Sequence, residues 1–461
     1  MNWKKCLISH LVIMATSMVT LQAGASTPDN ELIQRGKYLS TAGDCVACHS
    51  APGGKPFAGG LKLPTPIGEI IATNITPSKA AGIGNYTLEQ FSDALRKGIR
   101  ADGKHLYPAM PYTSYAKISD DDIKAMYAYF MSDIVAVDTP VKPTQLPFPF
   151  NIRLSMAGWN LLFLDSQPYK TDPAQSTEWN RGAYLTQGLT HCSACHSPRN
   201  LMMAEVTSKP LAGGEVGTWH APNITSDPNS GVGGWDTDEL VKYLKTGESL
   251  GKGQAAGPMA EAVDNSLQHL TDSDLKAIAV YIKSVPGQRE AADSKPVYAL
   301  GQKTDELSSL RGVALPADPN KMTGAQIYDG YCATCHQAQA QGSFDGGLPS
   351  LSHNTTVGRS NTQNLVMVIL DGVHRKGDGS DVRMPGFARV LTDPQIATLA
   401  NYLSKHYGNP DVSVSMGQVA QQRAGGAKSH LAALAQGAIA VGVVVFLALV
   451  FWLIRRRRRT S

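Results

Sequence analysis

Three copies of one pentapeptide, Cys-x-x-Cys-His, constrain the fold of this chain more than any other feature of its sequence. They occupy residues 45–49, 192–196 and 332–336 and use six of the seven cysteines. Cysteines three positions apart lie on one face of a helical turn, so both thiols can bond the vinyl groups of a porphyrin while the histidine faces its iron. The pattern predicts three covalently attached haems c, with these thiol and axial histidine ligands: Cys45, Cys48, Cys192, Cys195, Cys332, Cys335, His49, His196 and His336.

Disulfides, zinc and thiol redox chemistry are the other uses of paired cysteines. An exported chain can oxidise such pairs. A structural zinc site usually needs four protein ligands, whereas each segment here offers two cysteines and one histidine with no second pair nearby. Three identical motifs that together use every cysteine of the mature chain favour haem.

Both ends of the chain indicate export and membrane anchoring. Residues 1–25 have a basic start, an apolar stretch and an Ala-Gly-Ala cleavage site, which predicts a signal peptide; an uncleaved anchor is the alternative. Residues 431–454 carry no charge and could span the ~30 Å hydrocarbon core as a helix. Five arginines follow directly, so residues 455–461 are predicted to be a cytoplasmic basic tail, with the bulk of the chain outside the inner membrane.

The charge of the exported part argues against a nucleic-acid partner. The chain has 42 basic and 38 acidic residues, but two of the lysines belong to the signal peptide and five of the arginines to the tail. The remaining 35 basic residues are outnumbered by the acidic ones. A nucleic-acid surface needs a basic excess, which is missing here.

The segments around the motifs repeat, with RGKYL at residues 35–39 and RGAYL at residues 181–185. Each repeat of about 100 residues closes with an apolar-periodic helix after a capping residue, Ser119, Thr271 or Thr392. A further helix is predicted in each repeat: residues 87–98, 237–247 and about 362–372. No convincing alternating strand is present, so the predicted fold class is all-α.

The sixth iron ligand decides whether a haem carries electrons or binds a substrate. Met110, Met259 and Met384 each lie beside a proline before the last helix of a repeat, 61, 63 and 48 residues after the motif histidine. Methionine opposite histidine fills the iron and raises its potential. The alternative for each methionine is core packing. The matched positions predict axial ligation, a carrier role and no catalytic residue.

Two further pairs of residues repeat near the motifs. Asn74 and Asn223 each open an Asn-Ile-Thr segment, which we interpret as a loop that binds a haem propionate. Tyr86 and Trp235 could donate hydrogen bonds to propionates, with core packing as the equal alternative.

Four features carry a resemblance to a known family: the three motifs, the YPAMPY loop, the paired Asn-Ile-Thr segments and the apolar carboxyl-terminal segment. With them the chain resembles the triheme cytochrome c subunit of membrane-bound bacterial dehydrogenases. Those enzymes act on CH–OH donors such as gluconate, sugars and alcohols. The resemblance implies three tandem class I cytochrome c domains and a carboxyl-terminal transmembrane helix. The implied organisation is residues 1–25 signal peptide, 26–139 first domain, 140–172 Pro-rich linker, 173–286 second domain, 287–320 linker, 321–410 third domain, 411–430 spacer, 431–454 transmembrane helix and 455–461 tail.

The same resemblance implies the partners. A large periplasmic subunit with FAD or pyrroloquinoline quinone, with or without a small subunit, oxidises the substrate, and the three haems pass the electrons to ubiquinone. The chain is then a non-catalytic subunit of an oxidoreductase complex. Two alternatives are a free-standing carrier that feeds a terminal oxidase and a multihaem peroxidase or reductase.

Overall fold

The computed structural model describes residues 28–304, 306–344, 346–377, 380–427 and 429–460. The predicted signal peptide lies outside these residues. The helices of the first repeat and the linker after it are α1 Pro28–Ala42, α2 Cys45–Cys48, α3 Leu88–Lys97, α4 Tyr112–Tyr115, α5 Asp120–Ser132 and α6 Ser155–Phe163. Those of the second repeat are α7 Thr177–Tyr184, α8 Cys192–His196, α9 Thr237–Thr246, α10 Pro258–Asn265 and α11 Asp272–Ser284. The rest are α12 Gly324–Tyr331, α13 Ala333–His336, α14 Thr355–Gly358, α15 Gln363–Asp371, α16 Asp393–Tyr407, α17 Met416–Arg423 and α18 Leu431–Thr460.

The first and last helices of each repeat cross in close contact: α1 with α5, α7 with α11, and α12 with α16. Glycine makes this approach possible. A Cβ atom added at Gly36 would lie 1.9 Å from the carbonyl oxygen of Ala125, and one added at Gly182 would lie 1.9 Å from that of Ala277. Gly324 occupies the corresponding contact in the third repeat. No side chain fits in these gaps. The glycine of each R-G-x-Y-L segment, and Gly324 in the third repeat, therefore mark the points where the two helices cross.

The predicted helices and their caps are present in all three repeats. The side chains of Ser119, Thr271 and Thr392 each accept a hydrogen bond from the backbone N–H three residues later, at the start of α5, α11 and α16. The additional predicted helices are α3, α9 and α15. Capping satisfies backbone donors that a helix leaves unpaired at its first turn.

The expectation of an all-α fold is wrong in detail, because four antiparallel hairpins are present among the described residues. Their strands are β1 Lys62–Thr65, β2 Gly68–Ile71, β3 Gly214–Val216, β4 Trp219–Ala221, β5 Glu248–Ser249, β6 Gly253–Gln254, β7 Val373–Gly377 and β8 Ser380–Met384. Strands β3 to β6, with two or three residues each, are too short to show a period-two pattern. Helices nevertheless supply most of the buried apolar residues of the two main hydrophobic clusters.

The described residues form two main hydrophobic cores for the three repeats. One cluster combines residues of repeats one and two, including Phe130 and Ile123 of α5 with Leu275 and Ile278 of α11. The third repeat has its own cluster, which Val419 of α17 completes. Helix α17 therefore packs on the third repeat, although residues 411–430 were expected to be a spacer. Repeats one and two are folded around one interior.

A reciprocal polar contact joins repeats one and two. It uses the arginine and tyrosine of each R-G-x-Y-L segment and one aspartate of each last helix: Arg35, Tyr38, Asp122, Arg181, Tyr184 and Asp274. Each arginine binds the aspartate of its own repeat, whereas each tyrosine donates to the aspartate of the other. The Tyr38 hydroxyl is 2.7 Å from Oδ2 of Asp274, and Tyr184 donates in the same way to Asp122. The two repeats are thus related by an approximate twofold exchange of hydrogen bonds.

Helix α18 is largely exposed and meets the rest of the fold at Gln436, whose amide donates to the carbonyl oxygen of Phe148. Residues Leu431–Arg459 reach a mean hydropathy of 2.8 over their most apolar window, and none of that window is buried. By length and composition this helix can cross a membrane, at about 1.5 Å per residue.

Candidate haem-binding sites

Each Cys-x-x-Cys-His motif begins at or close to the end of the first helix of its repeat, on the short helices α2, α8 and α13. In the first two repeats a residue with left-handed backbone geometry precedes the motif, Asp44 at φ 51° and His191 at φ 35°. These residues reverse the chain direction after α1 and after the helical segment that continues α7. Helix α2 contacts α1 and α10, and α8 contacts β3.

All six cysteines are free thiols, so the structure contains no disulfide among them. Burial raises the pKa of Cys45 and of Cys332 to about 12, and it raises the pKa of Cys195 to about 11. Thiol redox chemistry needs a thiolate, which a lowered pKa supplies. Raised pKa values do not favour thiol redox chemistry at these three cysteines.

The three motif histidines share one hydrogen-bond arrangement. Nδ1 of His49 lies 2.6 Å from the carbonyl oxygen of Thr73, and Nδ1 of His196 lies 2.7 Å from that of Pro222. Nδ1 of His336 lies 3.0 Å from the carbonyl oxygen of Pro349. A carbonyl only accepts, so Nδ1 must carry the proton in each ring. The tautomer leaves the lone pair on Nε2, which is the arrangement a metal-binding imidazole needs.

Burial also keeps these imidazoles neutral. It lowers the pKa of His49 and His336, and it lowers that of His196 to about 4, although the carbonyl partners act in the opposite direction. A neutral ring at neutral pH is free to bind iron without first losing a proton.

The residues predicted for the second haem surround one cavity. A space of about 1620 Å³, a volume that includes its opening to solvent, is lined by Cys192, Cys195, His196 and Met259. We call it the second cavity, because it belongs to the second motif. Its other walls are largely apolar and include Leu240, Leu244, Ile278 and Ile282, together with Trp219 and Trp235. The cavity combines thiols, a neutral imidazole and a thioether within an apolar wall, which fits a covalently attached haem.

The three predicted methionine ligands lie in different local structures. Met110 is in a turn before α4, whereas Met259 is the second residue of α10 and Met384 ends β8. Of the three methionines, Met110 alone lies in a turn. Met110 packs against the same hydrophobic cluster that contains Cys45. Cys332 belongs to the hydrophobic cluster of the third repeat, whereas Met384 is half-buried and is not part of that cluster.

The two Asn-Ile-Thr segments have a structural role that differs from our interpretation. The amide of Asn74 donates to the carbonyl oxygen of Val137, and its Oδ1 accepts hydrogen bonds from the backbone and hydroxyl of Thr76. Asn223 makes the same bonds to Thr225 and donates to the carbonyl of Gln288. Both amides are buried and used internally. They tie the segment after each motif to the chain that leaves the last helix.

Trp235, in contrast, has an unused donor. Its ring is 5% exposed and lines the second cavity, and its Nε1 is buried without a hydrogen-bond partner in the described structure. A buried donor left unpaired costs about 1–3 kcal/mol. The unpaired donor thus belongs to a side chain of the cavity wall.

The first two motifs are close neighbours. The Tyr115 hydroxyl donates to the carbonyl of Gly43, and its ring meets that of His191 edge-on at 5.6 Å. Ala42 and Asp44, which precede the first motif, line the cavity of the second. The shared core brings together two motifs that are 147 residues apart in sequence.

The third repeat also contributes to the second cavity, which the sequence analysis missed. Thr355, Arg359, Asn364 and Val368 line it. Asn364 fixes the approach, because its side chain exchanges two hydrogen bonds with the backbone of His220, at 2.9 and 2.7 Å. No local pattern identifies such residues, since they lie more than 150 positions from the second motif and act only through tertiary packing.

Comparisons with known proteins match both ends of the haem-motif region. A family described as "Cytochrome c" matches residues 33–132, and one described as "Cytochrome C oxidase, cbb3-type, subunit III" matches residues 319–403.

Three similar proteins match most of the chain. The fructose dehydrogenase cytochrome subunit of Gluconobacter japonicus is 43% identical and covers 98% of each chain. The cytochrome c subunit of the alcohol dehydrogenase (quinone) of Gluconobacter oxydans is 38% identical over 88% of this chain and 84% of its own. The gluconate 2-dehydrogenase cytochrome c subunit of Pantoea cypripedii is 37% identical over 86% of this chain and 91% of its own.

Proposed function

The chain belongs to the cytochrome c subunits of membrane-bound bacterial dehydrogenases, and from this premise we propose that it relays electrons through three haems c. Its role is that of an electron-transfer subunit within a dehydrogenase complex. The observation that carries the three-haem proposal is the repeated histidine geometry. Three motif imidazoles each direct Nδ1 to a backbone carbonyl and leave Nε2 free.

We assign the ligands by repeat. The thiols of Cys45 and Cys48, Cys192 and Cys195, and Cys332 and Cys335 hold the haems covalently, and His49, His196 and His336 bind the irons from one side. Met110, Met259 and Met384 bind from the other side. Haem iron supplies reversible one-electron chemistry, and a thioether opposite imidazole raises its potential. The protein positions these groups and surrounds them with apolar side chains.

The domain organisation follows from the same assignment. Three cytochrome c domains carry the haems, and the first two share an interior that brings their motifs together. Helix α18 anchors the chain in the inner membrane, with the haem domains in the periplasm and the arginine tail in the cytoplasm.

We propose that a large periplasmic subunit with FAD or pyrroloquinoline quinone oxidises a CH–OH donor and reduces this chain. Ubiquinone in the membrane then receives the electrons. The names of the relatives support this class of donor, since they specify fructose, gluconate and alcohol dehydrogenases, one of them linked to quinone.

The test uses the full chain, tagged and gently extracted from membranes of its native host. The haem α-band is followed after addition of fructose, gluconate, 2-ketogluconate, sorbitol or ethanol, with dithionite as the measure of full reduction. We expect rapid reduction by one substrate and copurification of a large subunit. Reduction by dithionite alone would favour a free-standing carrier.

The same preparation tests the assignment of a carrier rather than a peroxidase or reductase. Three methionine-ligated haems should remain low-spin and should not bind carbon monoxide or cyanide readily. A high-spin fraction that binds these ligands would identify an open iron position and contradict the carrier assignment.

A further inference from the structure

The wall that the third repeat adds to the second cavity contains a charged residue, Arg359. It follows α14 directly and lines the cavity together with His196 and Trp235. The two repeats are fixed to each other near this point by Asn364, which binds the backbone of β4. The guanidinium is therefore held at the cavity by the docking of the third repeat on the second.

The partners of Arg359 leave its charge without a direct counter-ion. Its Nη1 donates to the carbonyl oxygen of Ser230 at 3.0 Å. Within the described residues it forms no ion pair with a carboxylate inside 4.0 Å, although Glu290 and Asp293 lie near enough to oppose the effect of burial on its pKa. Arg359 is half-buried, and a guanidinium has five N–H donors. The contact with Ser230 uses Nη1 alone, so donors of the guanidinium are left for an acidic group in the cavity.

A second side chain with a hydrogen-bond donor belongs to the wall of the same cavity. Nε1 of Trp235 is buried and has no hydrogen-bond partner among the described residues, on a side chain that is 5% exposed. Indole offers a donor only, and a guanidinium offers donors and a positive charge. Together they fit an anionic acceptor, and a carboxylate matches the planar fork of arginine best.

We propose that Arg359 of the third repeat binds a carboxylate of the haem in the second repeat, with Trp235 as an additional donor. The inference rests on the proposed function, because it needs a haem attached to Cys192 and Cys195. It goes beyond that function in assigning part of the second haem site to another repeat. Arg359 is a positioning residue. Its positive charge raises the midpoint potential of the haem, so its removal changes that potential.

The sign of the effect follows from electrostatics. A positive charge near a haem disfavours the ferric state, which carries one more positive charge than the ferrous state. Loss of the Arg359 charge therefore favours ferric iron and lowers the midpoint potential of the second haem. A tenfold change in its oxidised-to-reduced ratio equals about 59 mV for one electron.

The experiment compares the full-length chain with Arg359→Gln, Arg359→Lys and Arg311→Gln. Arg311 is the matched control, because it belongs to the third repeat, pairs with Asp329 at 3.1 Å and has a side chain that is 57% exposed. Haem content is measured by the pyridine haemochrome and by mass spectrometry of haem peptides, and the midpoint potentials by spectroelectrochemical titration.

We expect Arg359→Gln to keep three haems and to lower one midpoint potential. Arg359→Lys should restore most of the shift, and Arg311→Gln should leave all potentials unchanged. Loss of the second haem in Arg359→Gln but not in Arg359→Lys would also support the carboxylate contact. Unchanged potentials in a fully loaded Arg359→Gln chain would overturn the inference and leave the proposed function intact. A wild-type chain without haem on the peptide of Cys192 and Cys195 would instead refute the three-haem proposal.

Discussion

Substitution of Tyr38 by phenylalanine tests whether repeats one and two are joined by the reciprocal tyrosine–aspartate contact. The Tyr38 hydroxyl donates to Oδ2 of Asp274 over 2.7 Å and accepts a hydrogen bond from the backbone of Thr271 at 3.2 Å. Asp274 is only 8% exposed and is bound by Arg181 as well. Removal of a hydrogen bond to a charged group costs about 1.5–3 kcal/mol. We expect the free energy of unfolding to fall by that amount at pH 7.

The loss should depend on pH in a defined direction. Burial raises the pKa of Asp274, but the hydrogen bonds from Arg181 and Tyr38 outweigh burial and hold the pKa below its ordinary value of 3.8. A carboxyl group with a lowered folded-state pKa stabilises the fold above its unfolded-state pKa, and this contribution is lost as the pH falls through the folded-state value. The difference between wild type and Tyr38→Phe is therefore constant from pH 7 to about 5 and shrinks below about pH 4.

The assay is chemical unfolding of the full-length chain in detergent, followed by far-ultraviolet circular dichroism. Tyr331→Phe is the control, because that tyrosine is 39% exposed in the third repeat and lies outside this contact. A double-mutant cycle with Asp274→Asn isolates the pair. Additive effects of Tyr38→Phe and Asp274→Asn, or a stability equal to wild type for Tyr38→Phe at pH 7, would refute the reciprocal contact.

Four other expectations follow from the structure. Gly182→Ala should destabilise the fold by about 1–3 kcal/mol, because the new Cβ atom would lie 1.9 Å from the carbonyl oxygen of Ala277. Thermal unfolding measures the loss, and an unchanged midpoint temperature would contradict the close helix crossing. Asn74→Ala should cost about 1–3 kcal/mol in the same assay, since it leaves buried groups of Val137 and Thr76 unpaired. Met384→Leu should lower one haem potential and remove a methionine-linked absorption feature, and an unchanged redox titration would exclude this ligand. A chain that ends at residue 427 should leave the membrane fraction and keep its haems, whereas continued membrane association would show an anchor other than α18.

The sequence predicted the local features of this fold well. Capped helices such as α5 and α16 were identified because their signals, a hydroxyl cap and a 3.6-residue apolar period, are contained within a dozen residues. The hairpins were missed because strands as short as β5 and β6 have no readable period. Gly36 and Gly182 were visible as part of a repeat, but their function as crossing points depends on a helix almost a hundred residues away.

In the candidate sites, too, the sequence predicted local features and missed those that depend on distant residues. The thiols and histidines are defined by a five-residue motif, so they could be predicted by number. The binding of a haem propionate by the Asn-Ile-Thr loops stays a prediction. The side-chain amides of Asn74 and Asn223 bind backbone carbonyls, and the sequence does not show which backbone is near. Arg359 was not predicted at all, since its proximity to His196 arises only when the third repeat docks on the second.

The packing of the repeats bears on how a relay of this kind is built. Repeats one and two share one core and exchange hydrogen bonds through Tyr38 and Tyr184, so the spacing of their motifs is set by a folded interior rather than by a flexible linker. The third repeat has its own core but closes one wall of the second cavity. The third repeat is joined to the second by the two hydrogen bonds between Asn364 and the backbone of His220. All three motifs are therefore connected through folded contacts, which sets the separations between them.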